Sequence, residues 1–186
     1  MYLSRAFVPA TINHTHNQVL VSALSVMLGI VMLALLAQVT IVLPWTPVPV
    51  TGQTFGVSLL ALMWGSRLSL VTFISYLGLG FLGAPIFASG MSGLLIGPTF
   101  GYLVGMLLSS WVVGNLSDRG WAESFKTALG ACYIGSLITF LCGVGVLSFF
   151  IPADKLLMAG VVPFLPGDLI KNTLAATLVR KLPRKS

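Results

Sequence analysis

Two ionised side chains of opposite sign sit where an apolar sequence has least use for them. The stretch VVPFLPGDLIKN, residues 161–172, places Asp168 and Lys171 three positions apart. On a helix that spacing sets them on nearly the same face, about one turn from each other. A carboxylate accepts hydrogen bonds and an ammonium donates them, so the pair offers both halves of a recognition site for a polar small molecule. A charge at the centre of a membrane helix costs about 2.5–3.5 kcal/mol on insertion scales. Something must offset that cost. One answer is local, with the two charges neutralising each other and locking two helices together. The other is functional, with a ligand completing them.

The local sequence says how deep the pair lies. Pro163 and Pro166 precede it, and proline is tolerated in a first helical turn but disrupts a helix interior. A helix therefore restarts near Pro166. Asp168 falls in its first turn, where free N–H groups and the helix dipole favour an anion. From Asp168 to Arg180 is roughly 18 Å of helix. With Arg180 at the inner interface, Asp168 lies in the outer half of the bilayer and Lys171 one turn deeper.

The elements that carry these residues follow from composition. Of 186 residues, 56% are hydrophobic and 8% charged, against about 25% charged in a soluble globular domain. So few charges cannot cover a water-facing surface. Continuous apolar runs, rather than alternating segments of about ten residues, exclude a β-barrel. The expected fold is an all-α integral membrane protein, a compact six-transmembrane-helix bundle forming one domain over residues 1–186. Six segments run from about Gln18 to Leu43, Thr54 to Trp64, Leu68 to Phe87, Gly93 to Leu116, Ser124 to Ile151 and Ala159 to Val179. The bundle occupies 18–180, between a polar leader at 1–17 and a basic tail at 181–186. The second segment is short and merges into the third through Gly65-Ser66-Arg67.

Charge placement orients the bundle. Arg5, Arg67, the cluster Asp118, Arg119, Glu123 and Lys126, and the basic tail all fall on one side of a six-span arrangement. The opposite connections, LPWTPVPVTGQ, GAPIFASGMS and PADKLLMAG, hold a single basic residue, Lys155. The positive-inside rule then puts both termini in the cytoplasm, in a multi-pass protein of the cell (inner or plasma) membrane. The net charge of +6 thus reads as membrane flanking, with the lipid bilayer as partner and not nucleic acid.

Other chemistries find little footing. Cys132 and Cys142 are about 15 Å apart along one helix, too far for a bridge. His14 and His16 lie in the leader without further ligands, so no metal site is expected. The first apolar run is too long for a signal-peptide core. HExxH and GxSxG are absent, and no enzyme is expected. Without a GxxxxGK[ST] loop the chain does not hydrolyse ATP by that mechanism, and no cofactor is called for. The two halves share no matching broken segments, against an inverted-repeat transporter. Small-residue spacing at Ser25/Gly29 and at Gly97/Gly101/Gly105 suits close helix contacts.

The outward stretches PWTPVPVTGQT, GAPIFASGMSG and VVPFLPGD are rich in proline and glycine, which suits compact folding over a cavity. Gln53, Thr54, Ser89, Ser92 and Tyr102 are expected to project near that end. With Asp168 and Lys171 they outline a mostly apolar pocket with a few placed polar groups, the form of a small-molecule site.

Three ordered stretches carry a resemblance. PVPVTGQT (47–54), GPTFGYLVG (97–105) and PFLPGDLIK (163–171) resemble the signature stretches of the biotin transporter BioY family, the substrate-binding S components of energy-coupling factor (ECF) transporters. The resemblance implies a six-helix membrane fold with both termini inside and a biotin pocket near the outer face. It also implies a separate membrane coupling subunit and a pair of ATPases as partners. Asp168 and Lys171 become ligand contacts, and Gln53 and Tyr102 pocket members. A carboxylate suits ureido N–H donors, and an ammonium suits the ureido carbonyl or a carboxylate. Two positions depart from the family pattern. Phe100 stands where members often carry glycine, and no Ala-x-x-x-Ala occurs in the first span, leaving Ser25 and Gly29 to meet the coupling subunit. The alternatives are an S component for another vitamin, such as thiamine or riboflavin, or a ligand-free structural subunit.

Overall fold

In a computed structural model, which describes residues 17–93 and 96–181, the apolar runs are helical. The leader through residue 16 and the tail from residue 182 lie outside the described residues, and with them Arg5, His14, His16, Arg184 and Lys185. Helix α1 spans Gln18–Gln38. A short antiparallel ribbon follows, β1 (Thr40–Ile41) pairing with β2 (Val50–Thr51). Then come α2 (Gln53–Phe81), α3 (Phe100–Asp118), α4 (Phe125–Leu147), α5 (Leu156–Gly160) and α6 (Leu165–Arg180). Of these, α1 to α4 are long and apolar enough to cross a membrane.

Helix α2 is two arms, not a rod. Gly65 inside it takes φ 72 and ψ −177, a conformation essentially restricted to glycine. The amide Nε2 of Gln53 donates to the hydroxyl of Tyr76 at 2.8 Å, 23 residues further along. A straight helix would hold the two about 34 Å apart. The chain therefore folds back at Gly65, and arms 53–64 and 66–81 lie side by side. The turn is capped from another element, because Asp118 Oδ2 accepts from the backbone N–H of Ser66 at 2.9 Å and from its hydroxyl at 2.6 Å. Those bonds satisfy donors that a helix start leaves open.

Several expected boundaries move, each for a local reason. The first segment stops at Gln38 rather than Leu43, because the β-branched run Val39–Val42 enters the ribbon with β2. The fourth starts at Phe100 rather than Gly93. Gly93 has positive φ, and Pro98 sits just before the helix, where its fixed φ and missing donor suit a start better than an interior. The fifth ends at Leu147, five residues before Pro152. The sixth divides into α5, a 3-10 turn at Val162–Phe164 and α6, so the helix does restart beside Pro166, with Asp168 in its first turn.

Glycine sets the tightest approaches. A Cβ on Gly101 or Gly105 of α3 would strike the backbone of α4 at Cys142 or Thr139, whereas Gly97 faces open space. The row is thus a contact face over two of its three positions. Gly29 is buried, and a Cβ there would meet Trp64 and Thr72 of α2. The expectation that Ser25 and Gly29 form a partner-facing pair needs correction at Gly29, whose close approach is made within the chain. The Ser25 hydroxyl donates to the Val21 carbonyl at 2.8 Å.

Candidate ligand-binding site

Three connections and four helices close round one cavity. Val48, Pro49 and Thr51 come from the ribbon connection, and Gln53, Thr54, Val57 and Ser58 from the first arm of α2. Phe87, Ala88 and Met91 come from the connection between α2 and α3. Helix α3 contributes Tyr102, Leu103, Met106 and Ser109, preceded by Thr99, and α4 contributes Ser136, Thr139 and Phe140. Phe164, Asp168 and Lys171 complete the wall. The space leaves about 80 Å³ for the centres of water-sized molecules, several times the roughly 10–15 Å³ that one water requires. A small organic molecule fits that description better than a trapped solvent.

The connections are tied down over this space. The hydroxyl of Thr46 donates to the carbonyl of Ala159 at 2.7 Å, and that of Tyr102 to the carbonyl of Gly160 at 2.7 Å. Gln38 at the end of α1 donates to the Phe87 carbonyl at 3.1 Å, and Tyr76 donates to that of Ile86 at 2.8 Å. The ring of Phe164 lies against Tyr102 (centroids 5.8 Å) and Phe140 (6.3 Å), giving one side an aromatic wall.

The two charges do not bond each other. Asp168, 8% exposed, accepts from the Ser136 hydroxyl at Oδ1 (2.7 Å) and from the Asn172 amide at Oδ2 (2.9 Å). Lys171 reaches the other way, donating to the Thr51 carbonyl at 2.7 Å and the Thr54 hydroxyl at 3.1 Å. Helix α6 thus stands between α4 and the start of α2, with the carboxylate held on one flank and the ammonium on the other. Both face the same cavity. A pair that merely neutralised itself would close head to head; this one is spread and held open.

The structure brings Asp168, Lys171, Gln53, Thr54 and Tyr102 together on the lining. It does not bring Ser89 or Ser92 there. Both are exposed, while Ala88 and Met91 on either side of Ser89 face the cavity. The reason is local, since Ser89 takes a left-handed φ of 57 in a single 3-10 turn, which directs its hydroxyl outward. Sequence reasoning did not single out Ser58, Ser109, Ser136, Thr139 or Asn172. Only Asn172 carried a usable signal, lying four residues after Asp168 on one helix face.

Fold and cavity together define a multi-pass helical membrane protein organised round an internal chamber of small-molecule size. The chain belongs to the BioY family, whose sequence profile matches residues 11–186. It is 37% identical over 145 residues to the "Biotin transporter BioY" of Thermotoga maritima, an alignment covering 76% of this chain and 85% of that one. It is 35% identical over 165 residues to the "Biotin transporter BioY2" of Lactococcus lactis subsp. cremoris, covering 85% and 87%. A crystal structure at 2.1 Å described as the S-component for biotin from an ECF-type ABC transporter superposes with a TM-score of 0.84 over 92% of this chain and 95% of that one. At 24% identity that likeness is one of fold.

Proposed function

We propose that this chain captures biotin from outside the cell and carries it across the inner or plasma membrane as the S component of an ECF-type transporter. A membrane coupling subunit and a pair of ATPases supply the energy, and this chain is the binding subunit, not an enzyme. The observation that carries the reading is the separated charge pair. Biotin presents two ureido N–H donors and one carbonyl acceptor on an otherwise apolar bicycle. Asp168 supplies an acceptor and Lys171 a donor on one cavity wall, while Phe140, Phe164, Tyr102 and Met106 supply apolar surface for the sulfur ring and the chain. Gln53 and Thr54 line the same wall beside Lys171. The names of the relatives point to the same ligand.

We read the fold as six membrane segments with both termini cytoplasmic. The turn at Gly65 supports the count, because it makes α2 two antiparallel arms. The bond between Ser66 and Asp118 puts Arg67 and the Asp118–Lys126 region at one end. Gln38, Thr46 and Ala159 mark the other, whose connections carry Lys155 as their one basic residue among the described residues. That charge asymmetry matches the positive-inside rule.

Tryptophan fluorescence of the purified protein, titrated with biotin, thiamine and riboflavin in parallel, tests the ligand. Saturable quenching by biotin alone is the expected result. No response to biotin from protein that remains folded, or a preference for either other vitamin, rejects the reading.

A further inference from the structure

Asp168 is a nearly buried carboxylate that makes no ion pair among the described residues, and the hydrogen bonds that aim it come from Ser136 and Asn172. The surrounding bonds form a closed ring. Asn172 Nδ2 donates to Asp168 Oδ2 at 2.9 Å and to Ser136 Oγ at 2.9 Å, and Ser136 Oγ donates to Asp168 Oδ1 at 2.7 Å. An amide NH2 has two protons and no acceptor, and here both are committed. A hydroxyl has one proton, and that of Ser136 is committed to the carboxylate while its lone pair receives Asn172. Every group the ring turns on Asp168 is a donor. Asn172 is 2% exposed, so water does not compete for the arrangement.

We propose that Asn172 and Ser136 are positioning residues that hold Asp168 as a fixed, acceptor-only group, and thereby set the site's requirement for an N–H donor on the ligand. The inference rests on the reading of Asp168 as the partner of the ureido edge. One donor on each carboxylate oxygen pins the plane of the group and leaves its other lone pairs toward the cavity. Without the ring the carboxylate is free to rotate, and its remaining lone pairs are no longer aimed at the cavity. Selectivity for a donor would then fall even if the cavity kept its shape. A ligand with an acceptor at that edge leaves two acceptors face to face, a mismatch that a hydrogen-bonding site rejects strongly.

The test is a ratio of affinities. Biotin is compared with its two isosteres in which one ureido N–H or the other is replaced by oxygen, by calorimetry on the full chain in detergent. The native protein should prefer biotin over at least one isostere by about 100-fold or more. Asn172→Leu and Ser136→Ala should each bring that preference down to within about 10-fold, and Ser136→Thr, which keeps the hydroxyl, should restore it. A merely structural role would weaken biotin and isostere alike and leave the ratio untouched. The proposal is overturned if the ratio stays at the native value in Asn172→Leu, or in Ser136→Ala should the first variant not fold, while Asp168→Asn abolishes it. If Asp168→Asn also leaves the ratio unchanged, or native protein does not bind biotin, the underlying reading fails first.

Discussion

At the scale of single residues, Asp168 and Lys171 have separate hydrogen-bond partners, and replacing each should disturb a different part of the cavity. Asp168→Asn keeps the shape but exchanges one acceptor oxygen for a donor, which then faces the donor on either Ser136 or Asn172. A charged hydrogen bond contributes about 1.5–3 kcal/mol, so biotin affinity should drop roughly 10- to 150-fold or more in a titration. Lys171→Met keeps the aliphatic stem and removes the charge. It also releases the Thr51 carbonyl and the Thr54 hydroxyl, so it should cost a similar factor and loosen the start of α2. Lys171→Arg should not rescue it, because a planar fork does not reproduce a compact ammonium; wild-type affinity in that variant would contradict the assigned geometry. The charges were legible in the sequence because ions are rare in apolar runs. Ser136 and Thr139 were not. In a membrane helix a small polar side chain commonly bonds its own preceding turn, as Thr139 does to Gly135 and Ser25 to Val21, so its type says nothing of where it points.

At the scale of elements, two glycines decide how the walls are built. Gly65 holds a backbone conformation that other residues adopt only at about 1–3 kcal/mol. Gly65→Ala should lower the thermal unfolding midpoint in detergent by several degrees, and an unchanged midpoint would mean that the turn relaxes without strain. Gly105 and Gly97 form an internal comparison. Gly105→Ala drives a methyl into the α4 backbone at Thr139, while Gly97→Ala meets nothing within 4 Å. The first should be clearly the more destabilising of the two. The weak point of the sequence reading was the second segment, barely long enough to count and joined to the third without a polar loop. The turn was hidden because its only marker is one glycine, and a φ value is not written in a hydropathy pattern.

At the scale of the whole molecule, orientation is the property to test. In a background with Cys132 and Cys142 replaced by alanine, a cysteine at Lys155 should react in intact cells with a membrane-impermeant thiol reagent. One at Lys126 should react only after the membrane is opened. The reverse pattern would invert the bundle and put the cavity end inside. With respect to partners, uptake of labelled biotin should require co-expression of the coupling subunit and ATPases if this chain only binds; full uptake by this chain alone would show that it transports unaided.

Class, approximate span positions and the two charges of the candidate site came from the sequence by itself, because burial in lipid is close to additive over residues and an ion in an apolar run stands out regardless of its neighbours. Direction came only from the tertiary structure. Whether Asp168 turned toward Lys171 or toward Ser136, whether Ser89 faced the chamber or the outside, and whether Gly29 met a partner or Trp64 depended on atoms far away in the chain. Such choices are settled by which donors and walls the folded helices bring within reach, and no local spacing contains that information.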